Sequence, residues 1–399
     1  MRWHIGFLLG SGVSLPAAPS TRDLTDVVLN EVNRHYIHSD EEWYLRPARE
    51  VAISPERLER QECVANLIRE LADRVEQYYA RREAPRGCVV RWCNYEDIGF
   101  LADALASTLN RNRDDPGLMP LAGELLQTLH CPERTLLQAA EDTVAFVRSV
   151  VFRRLIAVRP PANHLQLVLD AARDADIGQL SIYTLNHDCL LEDAFDAANL
   201  PLFDFRRREP SGRLLLDLDA SPPDGTRATL LKPHGSVRWR RFRPLTVARD
   251  TDPWFSEWIG WDRDHAGNRH DDGVDWRSIG PALILVGRFN KELEYMEAPY
   301  WQIFLALAQS LKTRSQLVVA GYGFGDKAIN TLLINWLYEK APGERRLIVM
   351  HRDKDELLAS ARGSIANKWN EWTKRGQLIW VPRFPCDESW SALKSVLAT

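Results

Sequence analysis

Residues 1–36 read MRWHIGFLLG SGVSLPAAPS TRDLTDVVLN EVNRHY, and this stretch decides the fold class. Its first ten residues are a short apolar run ending in glycine, the pattern of a buried strand. A turn-forming cluster, Gly10-Ser11-Gly12-Val13-Ser14, comes next. Beyond it Leu24, Val27, Val28 and Val32 repeat at helical spacing, with Ser20 or Thr21 placed to cap the helix and Asp23 in its first turn. Strand, glycine-rich turn and helix open an α/β unit of the kind that binds nucleotides.

Further runs extend this unit: LSIYTLN (180–186), RLLLDLD (213–219), ATLLKPHG (228–235), ALILVG (282–287), SQLVVAGYG (315–323), RRLIVM (345–350) and QLIWVP (377–382). Several are continuous rather than alternating in Val, Ile and Leu, as expected of strands covered on both faces. Helical segments separate many of them. The expected fold is therefore α/β, a doubly wound, Rossmann-like, mostly parallel sheet. Between these parts the texture changes. SPERLERQECVANLIRELADRVEQYYARRE (54–83), GFLADALASTLN (99–110) and ERTLLQAAEDTVAFVRSVVFRRLIAV (133–158) carry helical periodicity, and CVVRWCN (88–94) is the one strand-like exception. This predicts a core of residues 1–35 and 170–399 with a mainly helical insertion domain at 36–169. Residues 238–280 hold five of the 14 tryptophans among many charges and read as an irregular excursion, a lid or a partner surface.

Composition bounds the function. Hydrophobic residues make up 45% and charged residues 27% of the 399, which excludes a disordered or fibrous chain. The net charge of −4 points neither to nucleic acid nor to an acidic membrane surface, and no apolar run is long enough to span a bilayer. The six cysteines are scattered without a CxxC pair, so neither a disulfide framework nor a structural zinc site is expected, and a reducing cytoplasm fits best. Arg2 followed by Ile5–Ala18 has the look of a short signal peptide, but its glycines and serines have a better use in the turn.

Four polar segments fall at expected strand ends, where open α/β sheets bind their ligands. Gly10-Ser11-Gly12-Val13-Ser14 lets backbone approach an anion, or is simply a tight turn. Tyr183-Thr184-Leu185-Asn186-His187-Asp188 suits hydrogen bonding to sugar hydroxyls and positioning of water, or is an Asx-type turn with a helix cap. Lys232-Pro233-His234-Gly235-Ser236 places a histidine where it could act as a general base, or holds a structural histidine. Gly321-Tyr322-Gly323-Phe324-Gly325-Asp326 could cradle a ribose or phosphate, or is a flexible strand-to-helix turn; it lacks the GK[ST] ending of a phosphate loop.

In their order, GxGxS, YTxNxD, HGS and GYGFGD, these segments resemble the sirtuin superfamily, and more closely the bacterial sirtuin-like domains of anti-phage defence systems. The resemblance covers residues 1 to about 35 and 175 to 350, and Asn94-Tyr95-Glu96-Asp97-Ile98 is similar to an N-x-E-D segment of that family's helical part. It implies NAD+ as substrate. Asn186 would orient the ribose or the attacking water, with Asp188 in support, and His234 would be the base. Gly10, Ser11, Gly12 and Ser14 would contact phosphate and ribose, with Thr184 and Gly235 beside them. Gly321, Gly323 and Asp326 would border the adenosine. His187 would be a neighbour, its side chain pointing away from that of Asn186.

The chain departs from protein-deacetylating sirtuins in one respect. They carry two zinc-binding cysteine pairs after the HG motif, whereas residues 235–280 contain no cysteine. The resemblance therefore implies NAD+ hydrolysis without zinc, ahead of NAD-dependent deacylation or ADP-ribosyl transfer. A non-catalytic nucleotide-binding assembly subunit is the remaining alternative. Relatives of this size accompany a HerA-type ATPase, and others are fused to sensors or work with short Argonautes. A homo-oligomer and such an ATPase partner are the expectations here, with the helical insertion and residues 238–280 as contact surfaces.

Overall fold

The structure, a computed structural model, describes residues 2–15, 17–32, 35–37, 43–45, 54–83, 91–110, 117–159, 163–208, 214–244, 258–261, 269–271, 274–279, 282–286, 295, 299–341 and 343–398. The chain divides into two compact units, one of residues 1–18, 155–285 and 291–399, the other of 19–154 with 286–290.

The first unit is built on a seven-stranded sheet. Its strands are β1 (Trp3–Leu9), β2 (Ile177–Thr184), β3 (Leu202–Phe203), β4 (Ala228–Leu231), β5 (Gln316–Ala320), β6 (Arg346–Met350) and β7 (Leu378–Val381). Their order is β7-β6-β5-β1-β2-β4-β3, and every neighbouring pair is parallel. Both faces are covered, which is why the strands read as unbroken apolar runs. Leu8, Tyr183, Leu231, Leu317, Val319 and Val349 belong to one core cluster with the helices Tyr300–Lys312, Lys327–Tyr338 and Ser364–Lys374. Phe7 turns to the other face, where its ring meets Trp390 of the helix Trp390–Ala398 at a centroid distance of 6.5 Å. The mostly parallel, doubly wound α/β class expected from the sequence is the class observed.

From β1 the chain builds β2, β3 and β4 on one side and then returns to place β5 on the other. The strand order thus reverses between β1 and β5. Leu9 is paired with both Thr184 and Ala320, so the carboxyl ends of β1, β2 and β5 finish level. Three of the four polar segments begin at that level, and the fourth follows β4 two strands away.

Two expected strands do not join this sheet. Among the described residues of RLLLDLD, 214–219, Leu214–Leu216 is a strand, and it pairs antiparallel in a second sheet. Of ALILVG residue 287 lies outside the described residues, and among the rest there is an isolated bridge, Ile284 to Gly235, and no strand. The irregular excursion expected at 238–280 is corrected as well: Trp239–Pro244, Trp258–Trp261, Arg269–Asp271 and Val274–Ile279 join Leu214–Leu216 and Arg206–Arg208 in a six-stranded sheet. Residues 245–257, 262–268, 272–273 and 280 of that stretch lie outside the described residues. Strand character there comes from cross-strand pairing, which a run such as WRRFRP does not display as an apolar pattern.

In the second unit the helix Thr21–Asn30 starts at a capping box, Ser20 with Asp23, as expected. The helices Pro55–Glu83, Tyr95–Leu109 and Glu133–Ile156 occupy the three periodic windows. A small hairpin, His35–Ile37 with Trp43–Leu45, is present in the same unit and was not expected. Of CVVRWCN, residues 88–90 lie outside the described residues, and Arg91–Asn94 is not a strand but leads into a cap. Asn94 and Asp97 form a second capping box, and the Tyr79 hydroxyl donates to Asp97 Oδ1 at 3.2 Å. The N-x-E-D segment thus does structural work at a helix start.

Candidate active site

The loop after β1 lies against the loop after β5. Gly10 N donates to Ala320 O, and Gly12 N donates to Gly321 O, each at 3.0 Å. A Cβ on Gly10 would stand 2.7 Å from Tyr322 Cα, and one on Gly321 would stand 2.5 Å from Val13 N. Gly321 also has a φ of +63°. These glycines therefore let two backbones touch at the point where the strand order reverses. Gly323 and Gly325 are roomier: a Cβ at 323 would meet only Ser360 Oγ, at 3.6 Å, and one at 325 nothing. Ser11 is exposed on the first of these loops.

Asn186 follows β2 and is held by the loop after β1. Its Nδ2 donates to Gly10 O at 3.0 Å and to Ser14 Oγ at 2.8 Å. Because a backbone carbonyl only accepts, this contact fixes which end of the amide is nitrogen. Both N–H groups are thereby committed. Among the described residues nothing donates to the amide oxygen, on a side chain only 8% exposed. That leaves one aimed acceptor, suited to a water or sugar hydroxyl.

The support behind Asn186 is layered. Ser14 Oγ donates to Asp188 Oδ2 at 2.7 Å, while Asp188 Oδ1 accepts from Leu190 N at 3.0 Å. Thr184 Oγ1 accepts from Asn186 N at 3.2 Å. Ser14, Thr184 and Asp188 are all buried, so each acts on the geometry of Asn186 rather than facing solvent. Burial raises the Asp188 carboxyl above its ordinary range, against the pull of Lys232 and Ser14.

Beneath this loop lies a charge pair that sequence reasoning missed. Lys232 Nζ, 3% exposed, meets Glu192 Oε1 at 3.0 Å and also donates to Asp188 O. Burial works against the Lys232 charge, yet Glu192, Cys189 and Asp188 hold its proton more firmly than usual. Lys232 stands in the KPHGS segment, but nothing in its neighbours announces Glu192, which sits forty positions upstream.

His234 comes from the turn after β4. Gly235 makes that turn with a φ of +79°, where a Cβ would run into the Leu283 carbonyl. The ring is 5% exposed, and Nδ1 lies 3.0 Å from Leu185 O, so Nδ1 carries the proton. Nε2 lies 3.1 Å from Asp326 Oδ2, which also accepts from the Tyr295 hydroxyl at 3.0 Å. Asp326 Oδ1 caps the helix Lys327–Tyr338 by accepting from Ala328 N and Ile329 N. The His187 ring is next to that of His234, centroids 6.0 Å apart, while the Asn186 side chain turns to the loop after β1. Tyr295 belongs to no motif, and its part here had no signal in the sequence.

All four polar segments thus meet along one edge. Asn186 and Leu185 are adjacent, so the short loop that carries the amide held by Ser14 also anchors, through Leu185 O, the His234 ring that faces Asp326. Among the described residues no group of three or more His, Cys, Asp or Glu is gathered as metal ligands, and no helix is long and apolar enough to cross a membrane. Fold and cluster together define a doubly wound α/β protein with its polar site at the carboxyl edge, beside the reversal of strand order.

Residues 180–372, just under half of the chain, match the family model described as a SIR2-like domain, which supports a place in the sirtuin superfamily. A search of curated proteins returns no match. Among solved structures, a Sir2 homologue in complex with NAD aligns over 94% of this chain and 89% of its own, at 12% identity and a TM-score of 0.33. Sir2Tm bound to a propionylated peptide aligns over 100% and 95%, at 9% identity and a TM-score of 0.35. Scores of this size do not establish a shared fold, which is assigned here from the strand order itself.

Proposed function

We propose that this chain is an NAD+ glycohydrolase of the sirtuin superfamily, cleaving NAD+ to nicotinamide and ADP-ribose. One observation carries the reading: Asn186 offers a single aimed acceptor on the same loop that anchors His234. The SIR2-like match supports it and spans the second, third and fourth polar segments.

The chemistry asks little of the protein in covalent terms. As the bond between the ribose and nicotinamide breaks, its electron pair stays with the ring nitrogen and nicotinamide leaves neutral, so no acid is needed. Positive charge develops at the anomeric carbon, water oxygen bonds there, and one proton is released. Asn186 Oδ1 would hold that water or a ribose hydroxyl. The imidazole of His234, with Asp326 behind it, would take up the proton, a role worth about 10²- to 10⁴-fold in rate. Ser14 and Asp188 would keep the amide aimed.

A hydrolase of this kind drains its host of NAD+ unless it is restrained. The resemblance to anti-phage domains therefore suggests an effector of bacterial defence in the cytoplasm, controlled through self-assembly or a HerA-type ATPase partner. Mass spectrometry after mixing the protein with NAD+, with and without such a partner, tests the activity. Free ADP-ribose from NAD+ alone is the expected product; nicotinamide released only with an acyl-lysine peptide or another acceptor, the ADP-ribosyl group then being carried by the acyl group or the acceptor, would instead make the chain a deacylase or transferase. Asn186→Ala and His234→Ala should fold normally and lose nearly all nicotinamide release. Full release by both variants would refute the assignment.

A further inference from the structure

We infer that Lys232 is a positioning residue for Asn186, its buried ammonium tying the loop that carries the amide to the turn that carries His234. The inference rests on Asn186 and His234 acting in the chemistry proposed above. It gives a task to a charge pair that this chemistry leaves unused.

The tie follows from where the segments sit. Lys232 directly follows β4 and precedes His234 by two positions. Its Nζ donates to Asp188 O, two positions beyond Asn186, and to Glu192 Oε1, 3.0 Å away in the first turn of the helix Leu190–Ala197. The same loop and turn also meet where Val237 N donates to His187 O at 3.0 Å and where His234 Nδ1 lies 3.0 Å from Leu185 O. Those contacts belong to the main chain or to His234 itself. Lys232 holds the loop through a side chain with no part in the reaction, so substitution can release the loop and delete neither reacting group.

Stability does not explain a charge pair here. Lys232 and Glu192 are 3% and 6% exposed. Burying two ions costs much of what their attraction returns, so apolar side chains of similar volume often serve a core as well. Glu192 Oε2 also has no hydrogen-bond partner among the described residues, a further cost. An ammonium does what no apolar side chain can: it binds a carbonyl and a carboxylate together. Its charge has a second effect. It opposes the rise that burial imposes on the Asp188 carboxyl, while Glu192 adds to that rise. Ionised Asp188 accepts from Ser14 Oγ, which leaves the Ser14 oxygen to accept from Asn186 Nδ2. Lys232 thus reaches the amide through the main chain of the loop and through the Asp188 charge.

Lys232→Met combined with Glu192→Leu tests the inference, and Lys232→Met with Glu192→Gln is a second form that keeps the shape of Glu192. Each removes both ions of the pair, so thermal melts should stay close to that of the unaltered chain. In NAD+ cleavage kcat should fall roughly 10- to 100-fold with KM nearly unchanged, the scale of a misplaced catalytic group. Adding Ser14→Ala should then cost less than it costs in the unaltered chain, because both changes act on one amide. In the substrate-free protein, amide hydrogen exchange should quicken over 185–190 and stay unchanged over β2 and β4. Unchanged kcat, a raised KM with intact kcat, or unaltered exchange over 185–190 would overturn the inference. Failure of both combinations to fold would overturn it too, by making the pair a prop of the fold. If Asn186→Ala alone retained full cleavage, the proposed function would fall, and the exchange over 185–190 would still decide whether Lys232 holds the loop.

Discussion

Asn186 illustrates how two acceptors, Gly10 O and Ser14 Oγ, aim one amide, and the side-chain acceptor can be removed by substitution. Ser14→Ala deletes the hydroxyl that receives Nδ2 and also the proton held by Asp188 Oδ2. Turnover should drop roughly tenfold or more, within the range for a misaligned catalytic group, while the melting temperature shifts little. Unchanged turnover would reduce Ser14 to a packing residue. Cys189 gives a second check at this scale. Burial, reinforced by the charge of Glu192, pushes its thiol up to about 12, so at pH 8 it stays protonated and unreactive. Iodoacetamide should therefore label the exposed Cys386 in the native chain and reach Cys189 only after unfolding, as peptide mapping would show. Native labelling at Cys189 would contradict the closed surroundings described for it.

At the scale of elements, the site depends on two loops in backbone contact and on a C-terminal helix pinned to the sheet. Gly10→Ala would drive a methyl group into Gly321 and Tyr322, both through main-chain atoms that have nowhere to yield. The expected loss is about 1–3 kcal/mol of stability, read from chemical denaturation, together with weakened turnover as the loops part. The helix Trp390–Ala398 is tied by Trp390 Nε1 and Lys394 Nζ, which donate to Asp174 Oδ2 at 2.6 and 2.7 Å. Burial alone would raise the Asp174 carboxyl, but these donors bring it down to about 2. A carboxyl group lowered on folding stabilises the fold above its ordinary value of 3.8 and loses that contribution as pH falls toward 2. Hydrogen exchange over residues 390–398 should thus quicken between pH 4 and pH 2, and Asp174→Asn should flatten that dependence. Equal acid sensitivity in the variant would place the weakness elsewhere.

For the whole molecule, restraint of NAD+ cleavage is the property the proposed function demands. Light scattering during size-exclusion should find a multimer, or a monomer whose activity waits for a partner; a fully active lone monomer would remove the argument for control by assembly. Much of the fold was legible in the sequence. The apolar runs of β1, β2, β5, β6 and β7, the cap at Ser20 and the helical windows of the second unit are local patterns, set by side-chain period and by which atoms can satisfy a helix end. The four polar segments were legible for the same reason, since each directly follows such a run. Local pattern did not disclose the antiparallel sheet of 238–280, whose strands WRRFRP, WIGW, RHD and VDWRSI mix aromatic and charged residues without an apolar run and are defined by their partners. Nor did it pair Lys232 with Glu192, or His234 with Asp326. Asn186 and Ser14 stand 172 positions apart, and His234 and Asp326 stand 92 apart. Sequence by itself determined which residues are polar at the strand ends; only the tertiary structure decided which of them face one another, because the level carboxyl edges of neighbouring parallel strands, and not proximity along the chain, bring those atoms within hydrogen-bonding distance.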